Sequence, residues 1–168
     1  IMNILLIGLI LSVVILGLVS WISSRPRGRQ MIALANVAEG THEASITKRA
    51  DAALAVPHLL VMHGSDGNHI AACGASDIPF GVAQDDPAAA EDPVTVEILG
   101  ISKRSLLMVA SEAITVGEAV FTAASGKVQD LPVAAGTYYQ VGYAMTAAGA
   151  DGDTVEVQHH APIARVVT

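Results

Sequence analysis

Two stretches of the chain alternate apolar and polar residues with a period of two. In the first, Val94, Val96 and Ile98 interleave with Thr95 and Glu97. In the second, Val155 and Val157 interleave with Thr154, Glu156 and Gln158. Successive side chains of a strand point to opposite faces, so the pattern predicts strands over 94–99 and 154–158, each buried on one face. Pro93 stands just before the first, where a missing backbone donor does least harm. Shorter signals surround these two. Leu59-Leu60-Val61-Met62 predicts a strand, Gly64-Ser65-Asp66-Gly67 a turn, and 68–72 the returning strand. Ala119-Val120-Phe121-Thr122, Ala124-Ser125-Gly126 and Lys127-Val128-Gln129 repeat that device further on. A further strand is predicted over 105–109. Residues 51–56 are alanine-rich and suit a short helix that Pro57 would end. No amphipathic pattern longer than three helical turns is present, so the predicted class is all-β.

The same signals recur at a fixed spacing. Gly81-Val82-Ala83 precedes an acidic, alanine-rich segment and then Pro93-Val94-Thr95-Val96-Glu97. Gly142-Tyr143-Ala144 precedes a similar segment and then Thr154-Val155-Glu156-Val157-Gln158. The offset is 61 from Gly81/Gly142 through Val94/Val155 to Val96/Val157. Val56-Pro57-His58-Leu59-Leu60-Val61 aligns with Val116-Gly117-Glu118-Ala119-Val120-Phe121 at an offset of 60. A fixed period is a strong guide to architecture, but two copies are too few for a solenoid. The expected architecture is a compact β-barrel or sandwich-like domain built from two similar halves, about 51–100 and 110–160. Gly81 and Gly142 read as strand glycines at a bulge or a close backbone contact.

The start of the chain has a different character. Residues 4–22 are apolar apart from Gly8, Ser12, Gly17 and Ser20, and carry no charge. As a helix this run would extend about 28 Å, close to one hydrocarbon core. Trp21 lies at its boundary and Arg25, Arg27 and Arg29 follow, which would put the arginines and the domain on the cytoplasmic side. A secretory signal fits poorly, because no basic residue precedes the run and no Ala-x-Ala-type site follows it. Two readings of residues 1–30 stand side by side, a membrane anchor and an upstream extension. The second rests on Ile1 preceding Met2 and on Met31 opening a segment of unlike composition. Residues 31–50 lack firm periodicity and are expected to form an extended arm, with the β-rich domain over 51–168.

With 168 residues there is room for one ordinary domain and an appendage. Every acidic residue lies at or beyond Glu39, so without the three leader arginines six basic residues face sixteen acidic ones, about −10. That balance excludes nucleic acid as the expected partner, since phosphate binding needs a basic face. Lys48-Arg49 and Lys103-Arg104 are pairs, not a stripe. The lone Cys73 permits no internal disulfide.

Candidate chemistry is sparse. His58, His63, His69 and Cys73 fall within sixteen positions, yet no pair has a recognised zinc spacing. His159 and His160 are adjacent and would diverge on a strand. Asp151-Gly152-Asp153 with Glu156, and Asp85, Asp86, Glu91 and Asp92 in the first copy, resemble oxygen-rich calcium loops. Neither has the full Asp-x-Asp-x-Asp-Gly pattern with a distal Glu, and turn geometry accounts for Asp and Gly there without an ion. Ser45-Ile46-Thr47-Lys48 matches Ser-x-x-Lys without its companion motifs. There is no Gly-x-Ser-x-Gly elbow, phosphate-binding loop or His-Glu-x-x-His. The expectation is no enzyme, no cofactor, no metal and no catalytic residue.

Several segments together carry a resemblance. Asp51-Ala52-Ala53-Leu54-Ala55, Gly64-Ser65-Asp66 and Ile78-Pro79-Phe80-Gly81-Val82-Ala83 are similar to segments of the small capsid decoration (cement) proteins of tailed bacteriophages. So are Leu106-Leu107-Met108-Val109-Ala110-Ser111-Glu112-Ala113-Ile114, Gly117-Glu118-Ala119-Val120 and Ala123-Ala124-Ser125-Gly126-Lys127-Val128. Gly142-Tyr143-Ala144, Ala147-Ala148, Asp151-Gly152-Asp153 and Val155-Glu156-Val157 complete the pattern. It covers about residues 40–160 and none of the leader. The resemblance implies a β-rich, non-enzymatic virion protein on the exterior of the head, made in the host cytoplasm. The implied partner is the major capsid protein lattice, and the implied state is a homo-oligomer, with a trimer favoured. Two other readings remain at this stage. A membrane-tethered β-rich binding module follows if 4–22 is inserted, and a metal-dependent enzyme if the residues from His58 to Cys73 converge.

Overall fold

The computed structural model describes residues 44–168, and the described part is built from β-strands with a single 3-10 turn at Ala124–Gly126. The all-β expectation is met. β1 (Ser45–Ala50), β2 (Leu60–His63), β3 (His69–Ala72), β4 (Gly81–Ala83) and β5 (Pro93–Ile98) form a closed barrel in the order β1-β3-β2-β4-β5. β6 (Leu106–Val109), β7 (Ala119–Thr122), β8 (Val128–Gln129), β9 (Gly136–Ala144) and β10 (Thr154–Val167) form a sheet in the order β6-β10-β9-β7-β8. In the barrel, β1 runs parallel to β3 and antiparallel to β5, which closes the ring. In the second sheet the outermost strands approach each other through one parallel bridge, Ala110 to Val128.

The alternating stretches fold as their pattern dictates. Val94 and Val96 of β5 are fully buried, as are Val155 and Val157 of β10, while Thr154 and Gln158 are exposed. Burial does the rest of the work, since burying a valine side chain stabilises by about 1.5 kcal/mol or more. One cluster fills the barrel with Ala50, Val61, Ile70, Val94 and Val96. A second gathers Met108, Val120, Val141, Val155 and Val157 of the other sheet around Leu60 and Val82. Leu60 and Val82 pair across β2 and β4, so the outer face of the barrel is part of the second sheet's core.

The hydrogen bonds of the two halves match. The N–H of Gln84 donates to the carbonyl of Thr95 at 2.8 Å, and that of Met145 to Glu156 at 2.7 Å. Leu54 donates to Pro87 and Ile114 to Ala148, each at 3.0 Å. Ala50 donates to Asp92 at 3.0 Å and Ala110 to Asp153 at 2.8 Å. The first alignment of β2 with β7, however, is one residue off. Val61 pairs with Gly81 and Val120 with Gly142, a spacing of 59 where 60 was expected. His58 and Gly117, also 59 apart, share a left-handed backbone with φ of 66° and 85°. The run Leu59-Leu60-Val61 is apolar throughout, so a one-residue slip leaves the hydrophobic match unchanged and the sequence does not fix the register.

Two other expectations are corrected. Residues 45–50, read as the end of an extended arm, are barrel strand β1. Ile46, Lys48 and Ala50 face inward, and Lys48 hides the alternation. Its side chain is buried along the barrel and its ammonium donates to the carbonyl of Gly67, a polar head reaching out along an apolar stem. The alanine-rich segment 51–56 forms bends, not a helix. The apolar leader 4–22 and the rest of the arm lie outside the described residues. Among the described residues, no helix is long and apolar enough to cross a membrane.

Candidate functional site

The histidines and the cysteine are dispersed through the fold. His63 stacks on Phe80 with ring centroids 4.3 Å apart. His58 donates its backbone N–H to Ala83, while its side-chain Nδ1 is buried without a partner. Cys73 is fully buried, and burial, followed by the nearby Asp77 carboxylate, pushes its thiol up to about 12. His159 accepts from the Gly100 N–H at Nδ1 (3.0 Å) and donates from Nε2 to the Arg104 carbonyl (3.1 Å). It thereby ties the connector between the halves to β10. Partial burial, the larger effect, holds its pKa below the ordinary imidazole value. His160 turns elsewhere, edge-on to Tyr143 at 6.2 Å. Among the described residues, no group of three His, Cys, Asp or Glu side chains is placed to hold an ion.

His69 is held by carboxylates at both ring nitrogens. Its Nδ1 lies 2.7 Å from Asp66 and its Nε2 3.0 Å from Glu91, which also faces Arg49 at 3.6 Å. The Asp66 hydrogen bond, then that of Glu91, raises its pKa, and the same contact lowers that of Asp66. The arrangement clips the Asp66 turn to the loop before β5.

The acidic turns are occupied by the backbone. Asp85 accepts from the Thr95 N–H at 2.8 Å and Asp92 from Ala89 at 2.9 Å. Asp153 accepts from Gly149 and Ala150 at 2.9 and 3.0 Å, and Asp151 pairs with Lys127 at 2.6 Å. These carboxylates shape loops, as Asp does where a side chain replaces a backbone partner. Ser45 and Lys48 lie three apart on β1 and so on opposite faces, which separates the two members of the Ser-x-x-Lys match.

Gly81 and Gly142 are places of close approach. A Cβ on Gly81 would lie 2.7 Å from the Glu97 carbonyl oxygen and would strike Val96. On Gly142 it would lie 2.6 Å from Val157 and strike the Gln158 carbonyl.

Sequence reasoning missed one surface. β9 and β10 continue past the second sheet as a ribbon, pairing Gln140 with Ile163 through to Gly136 with Val167. Thr137, Tyr138, Tyr139 and the run Ile163 to Val167 have the β-branched and aromatic character that could have flagged it. The polar side chains named above thus hold turns, strand ends and the connector.

Such a molecule is an all-β protein of two joined halves with matching bond patterns. Its sequence assigns it further: residues 37–159 match the phage cement protein family, and the chain belongs to that family. It is a phage structural protein. Among solved structures it is similar to the N base of the head fibre gp8.5 of bacteriophage phi29. The TM-score is 0.52 at 24% identity, covering 74% of this chain and 96% of that one; at that identity the likeness speaks for the fold. No curated protein matches the chain.

Proposed function

We propose that the protein is a head decoration protein that binds the outer surface of an assembled phage capsid and stabilises it. The observation that carries this reading is the cement-family match, which runs through both halves of the fold, from residue 37 to 159. The major capsid protein lattice is the partner, and the protein acts there as a homo-oligomer, with a trimer favoured, and not as an enzyme. Its place is the exterior of the virion after assembly in the host cytoplasm. The two halves are copies of one unit, a reading supported by the paired hydrogen bonds and the paired glycines.

The physics of the function is multivalency. Each contact with a capsid subunit is weak, and one oligomer gains by engaging several subunits at once. Low aromatic content, 4% of residues, disfavours a single buried hot spot and favours distributed contact. A ligand selective for the intact lattice stabilises it by mass action. The test is cosedimentation of the protein with heads of its own phage, followed by thermal release of packaged DNA. Saturable binding with a definite stoichiometry and a raised release temperature are expected, with poor binding to free capsid subunits. Failure to bind, or binding with no gain in head stability, would sink the reading.

A further inference from the structure

In the β9–β10 ribbon the β10 strand is exposed from Ile163 to Val166, and the β9 strand is half-buried from Gly136 to Gln140. β7 pairs with β9 only as far as Gln140, and β6 pairs with β10 only as far as Val157. Beyond those points each strand keeps, among the described residues, one strand neighbour, the other strand of the ribbon. The only bond given to its outer edges among the described residues is from the Tyr139 N–H to the Thr122 hydroxyl. Pro162 lies in the register shift between His159 and Ile163, which separates the ribbon from the sheet proper. Apolar side chains are left in water along it. Ile163 is 57% exposed and Val166 is 65% exposed. Leu131 lies in a shallow depression that Gln140 and Arg165 share with Glu118 and Asp130, and Val133 is almost wholly exposed on the approach to β9.

Isolated two-stranded ribbons are marginal in water, and unpaired edges are templates for another strand. We propose that this ribbon is the surface through which one copy of the chain associates with a second copy. Charge selects that occupant. The chain carries 16 acidic residues, yet neither 131–144 nor 157–168 contains a single Asp or Glu, and Arg165 is their one Lys or Arg. Copies of an acidic protein repel one another, and the repulsion is least along the two acid-free strands themselves, beyond the Glu118 and Asp130 that line the depression at their base. The ribbon's edges also differ, one from β9 and one from β10. Pairing the β10 edge of one copy with the β9 edge of the next is a head-to-tail contact, and such contacts close into rings when the rotation allows. The inference rests on the homo-oligomer of the proposed function and names its contact.

Sedimentation velocity of the full chain, wild type against I163E/V166E, tests it. Wild type is expected to sediment as an oligomer and the variant, with an unchanged circular dichroism spectrum, as a monomer. Hydrogen exchange on the wild type gives a second measurement that needs no variant. The amides of 136–139 and 163–167 should become protected as concentration rises. A monomeric wild type, a variant that keeps the oligomer's mass, or ribbon amides that exchange equally fast in monomer and oligomer would overturn the inference. Protection that appears only on phage heads would overturn it too and would assign the ribbon to the capsid. Head binding by a monomeric wild type would sink this inference and leave the decoration reading standing. An oligomer closed by the ribbon that fails to bind heads would do the reverse.

Discussion

In the barrel β1 meets β3 over two residue pairs, Arg49 with His69 and Ala50 with Ile70. Its counterpart in the second sheet is the single bridge from Ala110 to Val128. Beside each seam a basic side chain at or just before the third strand of its half reaches an acid on the loop before the last strand. His69 reaches Glu91 in the barrel, and Lys127, the residue before Val128, reaches Asp151 in the second sheet. One layout is thus closed by an imidazole whose pKa its carboxylate partners raise and, in the other half, by an ammonium. The backbone plan is shared, and the sensitivity to pH is a local choice of side chain.

The largest effects should come from the paired glycines. Gly81→Ala and Gly142→Ala each put a methyl group against a neighbouring strand's backbone, and each should cost about 3 kcal/mol by urea denaturation. Comparable losses would sharpen the correspondence; tolerance at one site alone would break it.

Next comes the join between the halves. Glu97 is buried, and Arg104 from the connector pairs with its Oε1, while Oε2 has no partner. Arg104→Ala should cost about 2 kcal/mol at neutral pH, because it strands a buried carboxylate. Glu97→Gln in the Arg104→Ala background should recover most of the loss in the same denaturation experiment. An equal loss in the double variant would remove the ion pair from the account.

A smaller effect separates the seams. Because the folded-state pKa of His69 is raised, its contribution is complete below the unfolded value of about 6.5 and is lost as pH rises through the folded value. Asp66, whose pKa is lowered, sets the acid limit, since its share is lost as pH falls through the folded value. His159 acts in the opposite sense near neutrality. Its pKa is depressed, so its contribution is complete above about 6.5 and fades as pH falls. NMR titration should resolve the two imidazoles on either side of the ordinary value. His69→Ala should flatten the loss of stability on the alkaline side, whereas Lys127→Ala should leave that slope in place.

The smallest effect is expected at Cys73, where thiol labelling in the native state should be negligible and should follow unfolding. Rapid labelling of folded protein would show that the core shared by the barrel's outer face and the second sheet opens locally.

Much of this fold was legible, and the reasons differ by element. β5 and β10 could be read because single valines mark every second position, which only one register satisfies. β1 was obscured by one residue, since an inward Lys48 looks polar in sequence and is buried in space. The β2 register slipped because three consecutive apolar residues carry no phase. The ribbon went unread because it lacks an inside: Tyr138 and Tyr139 are adjacent and both only half-buried, so no alternation develops. The His58 to Cys73 grouping was proximity along the chain only. Pairing directs these side chains to a ring stack, a carboxylate clip and the core, and no local spacing encodes that outcome.

The contiguity of the barrel bears on the order in which the chain folds. All five of its strands lie between Ser45 and Ile98, and the last of them closes against the first. During synthesis, chain through Ile98 suffices to complete that ring before the second half leaves the ribosome, and domains fold as units in that order. Leu60 and Val82 would then present a finished apolar face on which β6 to β10 can condense. The nascent second half would meet a template in place of solvent, which shortens the interval in which its own edges are open to aggregation.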